Sequence, residues 1–457
     1  MHDTSSLTRG NIDPDQPLGP LLSAIRQHDP ASPALSAPGL TMRYADLRAK
    51  IDALVPAVAS LPDGPSVLTM SARAVPALLA LAALNRAAVL VPPALRPSEL
   101  TRVLSESGAG SLLFPESAWH GLDWRRVELG ELPVALRDGT GGGLVPSGLC
   151  QLSSGSLGPS RLALRSWRGV WAEIEAVTKR LDLRAGDRVW CASSLAHSYG
   201  LIGGLLSPLL AGAEVFVGRS AEGTACPAVV FGLAGTYETW IEGRKPDAFG
   251  IRWALSAGAP LPKGLKERCV ENIGVTIRQD YGTTETGSIA IDTTEHAAPD
   301  DVGVPLPHIE TRIHEGEIEV TGEAVALGYL RAGQLLARQE QWYRTGDAGT
   351  FDEQGRLRLG ARMRPVLQRG ERLMQPAELE AALERLPGVR QAVVVALPDK
   401  RVKAVLVAPG MDVVELEELC RSGLAPEIVP DLIEKRHEFP RSPAGKILYN
   451  ELAKGDS

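Results

Sequence analysis

Gln279-Asp280-Tyr281-Gly282-Thr283-Thr284-Glu285-Thr286 places an aromatic ring, a glycine, three threonine hydroxyls and two carboxylates within a few residues of one another. A nucleotide site with a metal ion needs these groups. The Tyr281 ring can stack on a purine, and Gly282 lets the backbone approach closely. The threonine hydroxyls can donate to phosphate oxygens, and Glu285 offers the hard oxygen that Mg²⁺ prefers. Taken alone, the same residues also read as an ordinary Gly-Thr-Thr-Glu turn. The surrounding chain decides between the two.

Three further segments bear on it. Upstream, Ser153-Ser154-Gly155-Ser156-Leu157-Gly158-Pro159-Ser160-Arg161 alternates hydroxyls with glycines and closes on a cation. Backbone N–H groups in such a loop can form an anion nest, and Arg161 adds a charged fork of donors. It lacks the Gly-Lys-Ser/Thr ending of a Walker A loop. The Gly139 to Gly143 run just before it leaves a flexible linker as the alternative. Downstream, Tyr343-Arg344-Thr345-Gly346-Asp347 sets a carboxylate after a glycine turn, where it can accept both hydroxyls of a ribose; an Asx turn is the plainer reading. Near the end, Pro440-Arg441-Ser442-Pro443-Ala444-Gly445-Lys446 is a rigid loop presenting one lysine, which by itself reads as a solvated surface charge.

In this order and spacing the four segments resemble the adenylate-forming superfamily of acyl- and aryl-CoA synthetases, adenylation domains and luciferases. The resemblance runs from about Leu40 to Leu452. It is strengthened by Leu40-Thr41-Met42-Arg43-Tyr44-Ala45-Asp46-Leu47, Ala196-His197-Ser198-Tyr199-Gly200-Leu201, Ser256-Ala257-Gly258-Ala259-Pro260-Leu261-Pro262 and Val302-Gly303-Val304-Pro305-Leu306-Pro307. It implies an α/β fold: a large N-terminal AMP-binding domain, residues 1–361, of parallel sheets and helices with a small β subdomain, then a small mobile α+β cap, residues 362–457. The hinge is expected near Ala361–Arg364.

The resemblance also implies roles. ATP would be held by Ser153, Ser154, Gly155, Ser156, Gly158, Arg161, Gly258, Asp280, Tyr281, Gly282, Thr283, Asp347 and Arg362. Tyr281 would stack on adenine, Thr284 would reach the α-phosphate, Glu285 would hold Mg²⁺ and Asp347 the ribose. Lys446 would bridge the substrate carboxylate and the α-phosphate, making Lys446, Glu285 and Thr284 the catalytic set. The family usually has lysine where this chain has Arg161 and threonine where it has Leu157. At the hinge the usual Gly-Arg-x-Asp is replaced by Gly360-Ala361-Arg362-Met363, and Leu367 stands where a lysine is usual. Arg362 takes the place of the motif arginine with an offset of one residue.

The acyl pocket is expected from His197, Ser198, Tyr199, Gly200, Gly232, Leu233 and Ala234, with Gly258. The first of these segments has no aspartate to pair an ammonium, which disfavours an α-amino acid. The small residues are expected to leave room for a hydroxylated aromatic or a medium-chain acid. The implied reaction is ATP-dependent formation of an acyl-AMP and transfer to a phosphopantetheine thiol, on CoA or on an acyl carrier protein. Arg362, Arg364, Arg369 and Arg372 form a basic cluster that suits an acidic carrier protein; a solvated loop is the alternative. By analogy, the compact length resembles ligases that load hydroxybenzoate in pigment clusters. A non-catalytic adenylate-binding relative and an acyl-adenylate enzyme without a thioester step are the competing functions. Glu285, Asp347 and Lys446 are all present, which favours activity.

Composition agrees. The chain has 457 residues, 44% of them hydrophobic, and a formal net charge of −7. That suits a multidomain protein with a sizeable core and disfavours a nucleic-acid partner. Five scattered cysteines without a Cys-x-x-Cys pair suit reduced cytoplasmic thiols. The apolar stretches Val75–Leu95 and Leu201–Val217 are broken by Asn85-Arg86 and by Pro208 and Glu214, so neither reads as a membrane span. The pattern predicts strands at Val67–Met70 and Ala88–Val91 with a helix at Val75–Leu84 between them, a parallel βαβ unit. Helices are expected at Trp167–Leu181, Leu201–Leu210, Pro376–Leu386 and Val414–Ser422.

Overall fold

The computed structural model describes residues 16–114, 124–137, 145–153, 161–218, 226–243, 250–259, 261–262, 264–294, 298, 300–363, 367–369, 372–374, 376–397, 401–424, 428–441 and 447–453. The predicted βαβ unit forms as strand Ser66–Thr69, helix Val75–Ala83 and strand Ala88–Val91. The two strands pair in parallel, Ser66 against Ala88 through Thr69 against Val91, and every residue of both is buried. Continuous apolar strands of this kind need helices on both faces.

This unit lies within a nine-stranded sheet. The order is Gln334–Ala337, Gly328–Arg331, Leu162–Arg165, Leu149–Leu152, Ala88–Val91, Ser66–Thr69, Ser111–Leu113, Leu132–Leu136, Arg125–Leu129. An eight-stranded sheet stands beside it, ordered Gly287–Ile291, Ile277–Thr283, Trp253–Ala257, Val229–Gly232, Arg188–Cys191, Glu214–Val217, Pro33–Ala37, Leu40–Arg43. Its interior pairs are parallel and its two outermost pairs antiparallel. Helix Trp167–Arg180 joins the two sheets, with Val170, Ile174 and Val177 in the same core as Leu68 and Leu90 of one sheet and Val229 and Phe231 of the other. Its N-cap Ser166 accepts from Gly169 N–H at 3.0 Å.

The predicted change of texture after Gly303 is a five-stranded antiparallel sheet, Asp301–Gly303, Leu357–Arg362, Tyr343–Phe351, Glu317–Thr321, Glu310–His314. The C-terminal portion is α+β: strands Gln391–Ala396, Val402–Val407 and Leu432–Lys435 form one sheet. Helices Pro376–Leu383 and Val413–Gly423 bring Leu379, Leu383, Leu416 and Cys420 against it in a separate core. The molecule is thus a large α/β N-terminal part and a small α+β C-terminal part, as expected.

One expectation changes. The helix predicted at Leu201–Leu210 is wound as a π-helix over Tyr199–Leu206 before Ser207–Ala211 continues as α-helix. Gly203 and Gly204 permit it by close packing. A Cβ at Gly203 would lie 2.5 Å from the Phe231 ring, and one at Gly204 would lie 2.6 Å from Cys191 Sγ. Wide turns of this kind recur at functional sites.

Candidate active site

The opening segment runs along strand Ile277–Thr283 and turns back into Gly287–Ile291. Gly282 cannot be replaced there, because a Cβ would meet Gly287 O at 2.0 Å. Thr286 Oγ accepts from Thr283 N–H at 3.1 Å and closes the turn. Ala326 N–H donates to Glu285 O at 2.7 Å, which ties the turn to the segment entering strand Gly328–Arg331.

Strand alternation sends Asp280 and Tyr281 to opposite faces. Tyr281 faces the β subdomain, where its hydroxyl donates to Asp347 Oδ2 at 2.9 Å. Arg362 Nη1 donates to Asp347 Oδ1 at 2.6 Å. Three residues far apart in sequence and assigned to ATP therefore meet. Burial, with the Asp347 carboxylate beside it, keeps the Tyr281 phenol protonated well above the usual tyrosine range. Asp347 does not follow an isolated turn as the sequence reading had it. It lies within strand Tyr343–Phe351, at a bulge where Gly346 has φ +76°.

A second cluster surrounds Glu285, which is buried. Tyr329 donates to Glu285 Oε1 at 3.0 Å. Arg161 Nη2 lies 3.9 Å from the same oxygen, and its guanidinium sits over the Tyr329 ring, 3.9 Å from the centroid. Burial first, then the Glu285 carboxylate, pushes the Tyr329 phenol up to about 12, so it stays a donor. Tyr329 was not singled out from sequence, since one tyrosine in a strand carries no signal. Thr284 lies half-buried on the same turn.

Ser153 and Arg161 form the base of the hydroxyl-rich loop. Ser153 N–H donates to Arg161 O at 2.8 Å, and Arg161 N–H donates to Ser153 Oγ at 3.2 Å. Ser154, Gly155, Ser156 and Gly158 lie outside the described residues, as does Lys446. Arg364 is also outside them, and the side chains of Arg369 and Arg372 are not described.

The pocket segment is tied down more than the sequence reading expected. Ser198 donates to Gln151 Oε1 at 2.6 Å, and Gln151 in turn donates to Ala196 O at 3.0 Å. Gly200 and Gly232 do not leave room as expected: a Cβ would meet Ser194 O at 2.4 Å and the Tyr237 ring at 3.1 Å respectively. These glycines serve close packing. Leu233 N–H donates to Thr236 Oγ1 at 3.1 Å at the start of helix Ala234–Ile241. Gly258, with φ +86°, ends strand Trp253–Ala257.

Beneath both clusters lies an ion pair that sequence reasoning missed. Arg165 Nη2 and Glu173 Oε2 are 2.6 Å apart, and each side chain is 1% exposed. Glu173 Oε1 also accepts from Ser288 N–H at 2.7 Å, and Arg165 Nε donates to Ala324 O at 2.7 Å. Glu173 shares the apolar face of its helix with Val170 and Val177. A charge on such a face is the signal that calls for a buried partner.

No three His, Cys, Asp or Glu side chains among the described residues could hold a metal by themselves. A lone buried carboxylate with flanking hydroxyls fits a magnesium ion that takes its other oxygens from phosphates. The doubly wound fold sets a cation, Arg161, near a buried carboxylate, Glu285, and joins Tyr281, Asp347 and Arg362 in a second group, as expected of an enzyme of the adenylate-forming class. The model of the AMP-binding enzyme family matches residues 149–330, and that of the AMP-binding enzyme C-terminal domain matches 378–446. The 2-succinylbenzoate–CoA ligase of Bacillus mycoides is 30% identical over 66% of this chain and 69% of its own. Feruloyl-CoA synthase of Amycolatopsis is 29% identical over 78% of this chain and 80% of its own. The O-succinylbenzoate coenzyme A synthetase of Bacillus subtilis, solved with ATP and magnesium ion, superposes with a TM-score of 0.74 at 25% identity, covering 95% of this chain and 99% of its own. Other curated CoA ligases are matched over only 48% to 63% of their own length. The chain belongs to the AMP-binding enzyme family, the adenylate-forming acid–thiol ligases.

Proposed function

We propose that this protein uses ATP to convert a carboxylic acid to an acyl-adenylate and passes the acyl group to the phosphopantetheine thiol of coenzyme A. The observation that carries the reading is the pairing of two clusters on one strand and its turn: Tyr281–Asp347–Arg362, and Arg161–Glu285–Tyr329. Five of these six residues were assigned from sequence alone, and they come from four distant segments.

The chemistry needs such an arrangement. A carboxylate is a poor acyl donor because its leaving group would be oxide. Its oxygen attacks the α-phosphorus of ATP, the α–β P–O bond breaks, and pyrophosphate leaves. A thiolate then attacks the acyl carbon, and AMP departs as a good leaving group. Arg161 and the loop hydroxyls would neutralise phosphate charge, and Tyr281 and Asp347 would hold the nucleoside. Glu285, with Thr283 and Thr284 beside it, would hold a magnesium ion, which supplies charge neutralisation on the phosphates. Lys446 would orient the reacting oxygens.

Separate cores before and after residue 362 support a division into domains 1–361 and 362–457. The relatives' names favour CoA as acceptor. A carrier protein has no support among the described residues, where Arg362 of the basic cluster is committed to Asp347. The acid is aromatic with a hydroxyl, or of medium chain length. No helix among the described residues is long and apolar enough to cross a membrane. The free thiols of Cys150, Cys191, Cys226, Cys269 and Cys420 support a cytoplasmic location. Pyrophosphate release across a panel of carboxylic acids, with CoA or a carrier protein added in turn, tests the reading. Acid-dependent release followed by CoA thioester formation is the expected result; ATP binding without release would identify a non-catalytic relative.

A further inference from the structure

Asp347 owes its place to a bulge in the β subdomain. Strand Glu317–Thr321 runs antiparallel to Tyr343–Phe351, with Glu319 opposite Arg344 but Glu317 opposite Ala348. Thr345, Gly346 and Asp347 therefore stand together opposite Ile318, and a ladder with extra residues on one strand leaves backbone groups unpaired. Two buried side chains take these groups over. Glu317 Oε1 accepts from Gly346 N–H at 2.8 Å. Thr345 Oγ1 accepts from Asp347 N–H at 3.2 Å and donates to Ile318 O at 2.8 Å. The other Glu317 oxygen, Oε2, accepts from Arg344 Nε at 2.7 Å.

A bulge beside a site re-aims a side chain. Here Gly346 turns the chain at φ +76°, and the next residue delivers its carboxylate to the Tyr281 hydroxyl and to Arg362. The fit is close, since a Cβ at Gly346 would stand 3.4 Å from the Arg362 guanidinium. A backbone N–H bonded to a charged acceptor is held more firmly than one bonded to a neutral group. Arg344 supplies the counter-charge that the buried Glu317 carboxylate needs. A carboxylate offers about four lone-pair sites, so the bonds from Tyr281 and Arg362 leave Asp347 able to accept from a diol.

We infer that Glu317 is a positioning residue for the nucleotide: through the Gly346 N–H it holds the bulge that aims Asp347 at the ribose hydroxyls. This rests on the proposed use of ATP and deepens it. Both Glu317 oxygens are taken by the protein, so the residue acts through Asp347 and not on the nucleotide itself. Thr345 is the second arm of the same lock, because it fixes the Asp347 N–H. The effect of Glu317 therefore falls on recognition of the sugar and not on the reacting groups.

The test titrates the full chain with Mg²⁺-ATP and with Mg²⁺-2′-deoxy-ATP by calorimetry, and follows pyrophosphate release with the same two nucleotides. Wild type should bind ATP about tenfold more tightly than 2′-deoxy-ATP, since a site built to bond a hydroxyl rejects an analogue lacking it. Glu317→Ala should bring that ratio to about twofold, while kcat at saturating ATP stays within about threefold of wild type. Glu317→Gln keeps an acceptor for the Gly346 N–H and should restore most of the ratio. Thr345→Val keeps the side-chain shape and should lower the ratio as Glu317→Ala does. A merely structural role would lower the unfolding midpoint of Glu317→Ala and leave the ratio at its wild-type value. That result overturns the inference; where Glu317→Ala does not fold, a wild-type ratio in Thr345→Val overturns it. Equal binding of the two nucleotides by wild type does so as well. Absence of pyrophosphate release with every acid, with the binding ratios as stated, would remove the ligase activity and leave the inference standing.

Discussion

Replacing Glu173 by leucine should be among the most damaging single changes in the N-terminal part. The substitution removes the counter-charge 2.6 Å from Arg165 while both side chains are 1% exposed. Arg165 would keep two neutral partners, Ala324 O at 2.7 Å and Ser198 Oγ at 3.5 Å, but no neutralising charge. Breaking a buried pair in this way costs about 3–5 kcal/mol. Ser288 N–H also loses its acceptor, which by itself costs about 1–3 kcal/mol. The two losses share one carboxylate and are not additive, so about 4 kcal/mol is expected. Exchanging both partners, Arg165→Met with Glu173→Leu, removes the stranded charge and should recover most of the loss, leaving about 1–2 kcal/mol, largely from Ser288. Urea unfolding followed by tryptophan fluorescence measures this, since Trp167 and Trp171 lie on the same helix as Glu173. A cost below about 1 kcal/mol for Glu173→Leu would refute the reasoning, as would a double variant no more stable than the single. The turn should respond as well. The Glu173 carboxylate fills the space beside Gly287, 2.0 Å from where a Cβ would stand, so Gly287→Ala should destabilise by a similar route.

Tyr329→Phe removes one hydrogen bond to a charged carboxylate, worth about 1.5–3 kcal/mol, and should raise the Mg²⁺ concentration needed for half-maximal pyrophosphate release about tenfold. An unchanged magnesium dependence would show that Tyr329 does not position Glu285. Lys446→Ala should abolish acyl-adenylate formation yet spare thioester formation from preformed acyl-AMP, and equal loss of both half-reactions would count against its role. Asp280 gives a pH signature. Its folded carboxyl titrates at about 8 against an ordinary 3.8, so the folded form holds a proton that the unfolded form releases between those values. Its contribution to stability is therefore present below about pH 4 and lost as pH rises towards 8. Denaturation midpoints of Asp280→Asn should fall less steeply than wild type over that window, and parallel profiles would contradict it.

Much of the fold was legible because its signals are local. The apolar runs at Val67 and Ala88 flank a helical pattern, and a chain read this way pairs in parallel whatever surrounds it. The π-wound segment at Tyr199–Leu206 was not legible, because composition reports an apolar helix and only packing of Gly203 against Phe231 and Gly204 against Cys191 sets the wider turn. Gly200 and Gly232 misled for the same reason: a missing side chain looks like space until a neighbour is seen to occupy it.

The sequence by itself determined which chemical groups are candidates for holding ATP. Tyr281, Glu285, Asp347 and Arg161 are recognisable from residue type and order, since each stands in a short motif whose glycine and hydroxyl spacing is a local property of the chain. Tertiary structure alone decided which of them meet, and what each faces. Tyr329 reaches Glu285 because strand Gly328–Arg331 pairs with Leu162–Arg165, and no residue near Glu285 in sequence announces it. Asp280 and Tyr281 are neighbours in the chain and point to opposite faces, because strand geometry alternates side chains and only the packed sheet says what covers each face.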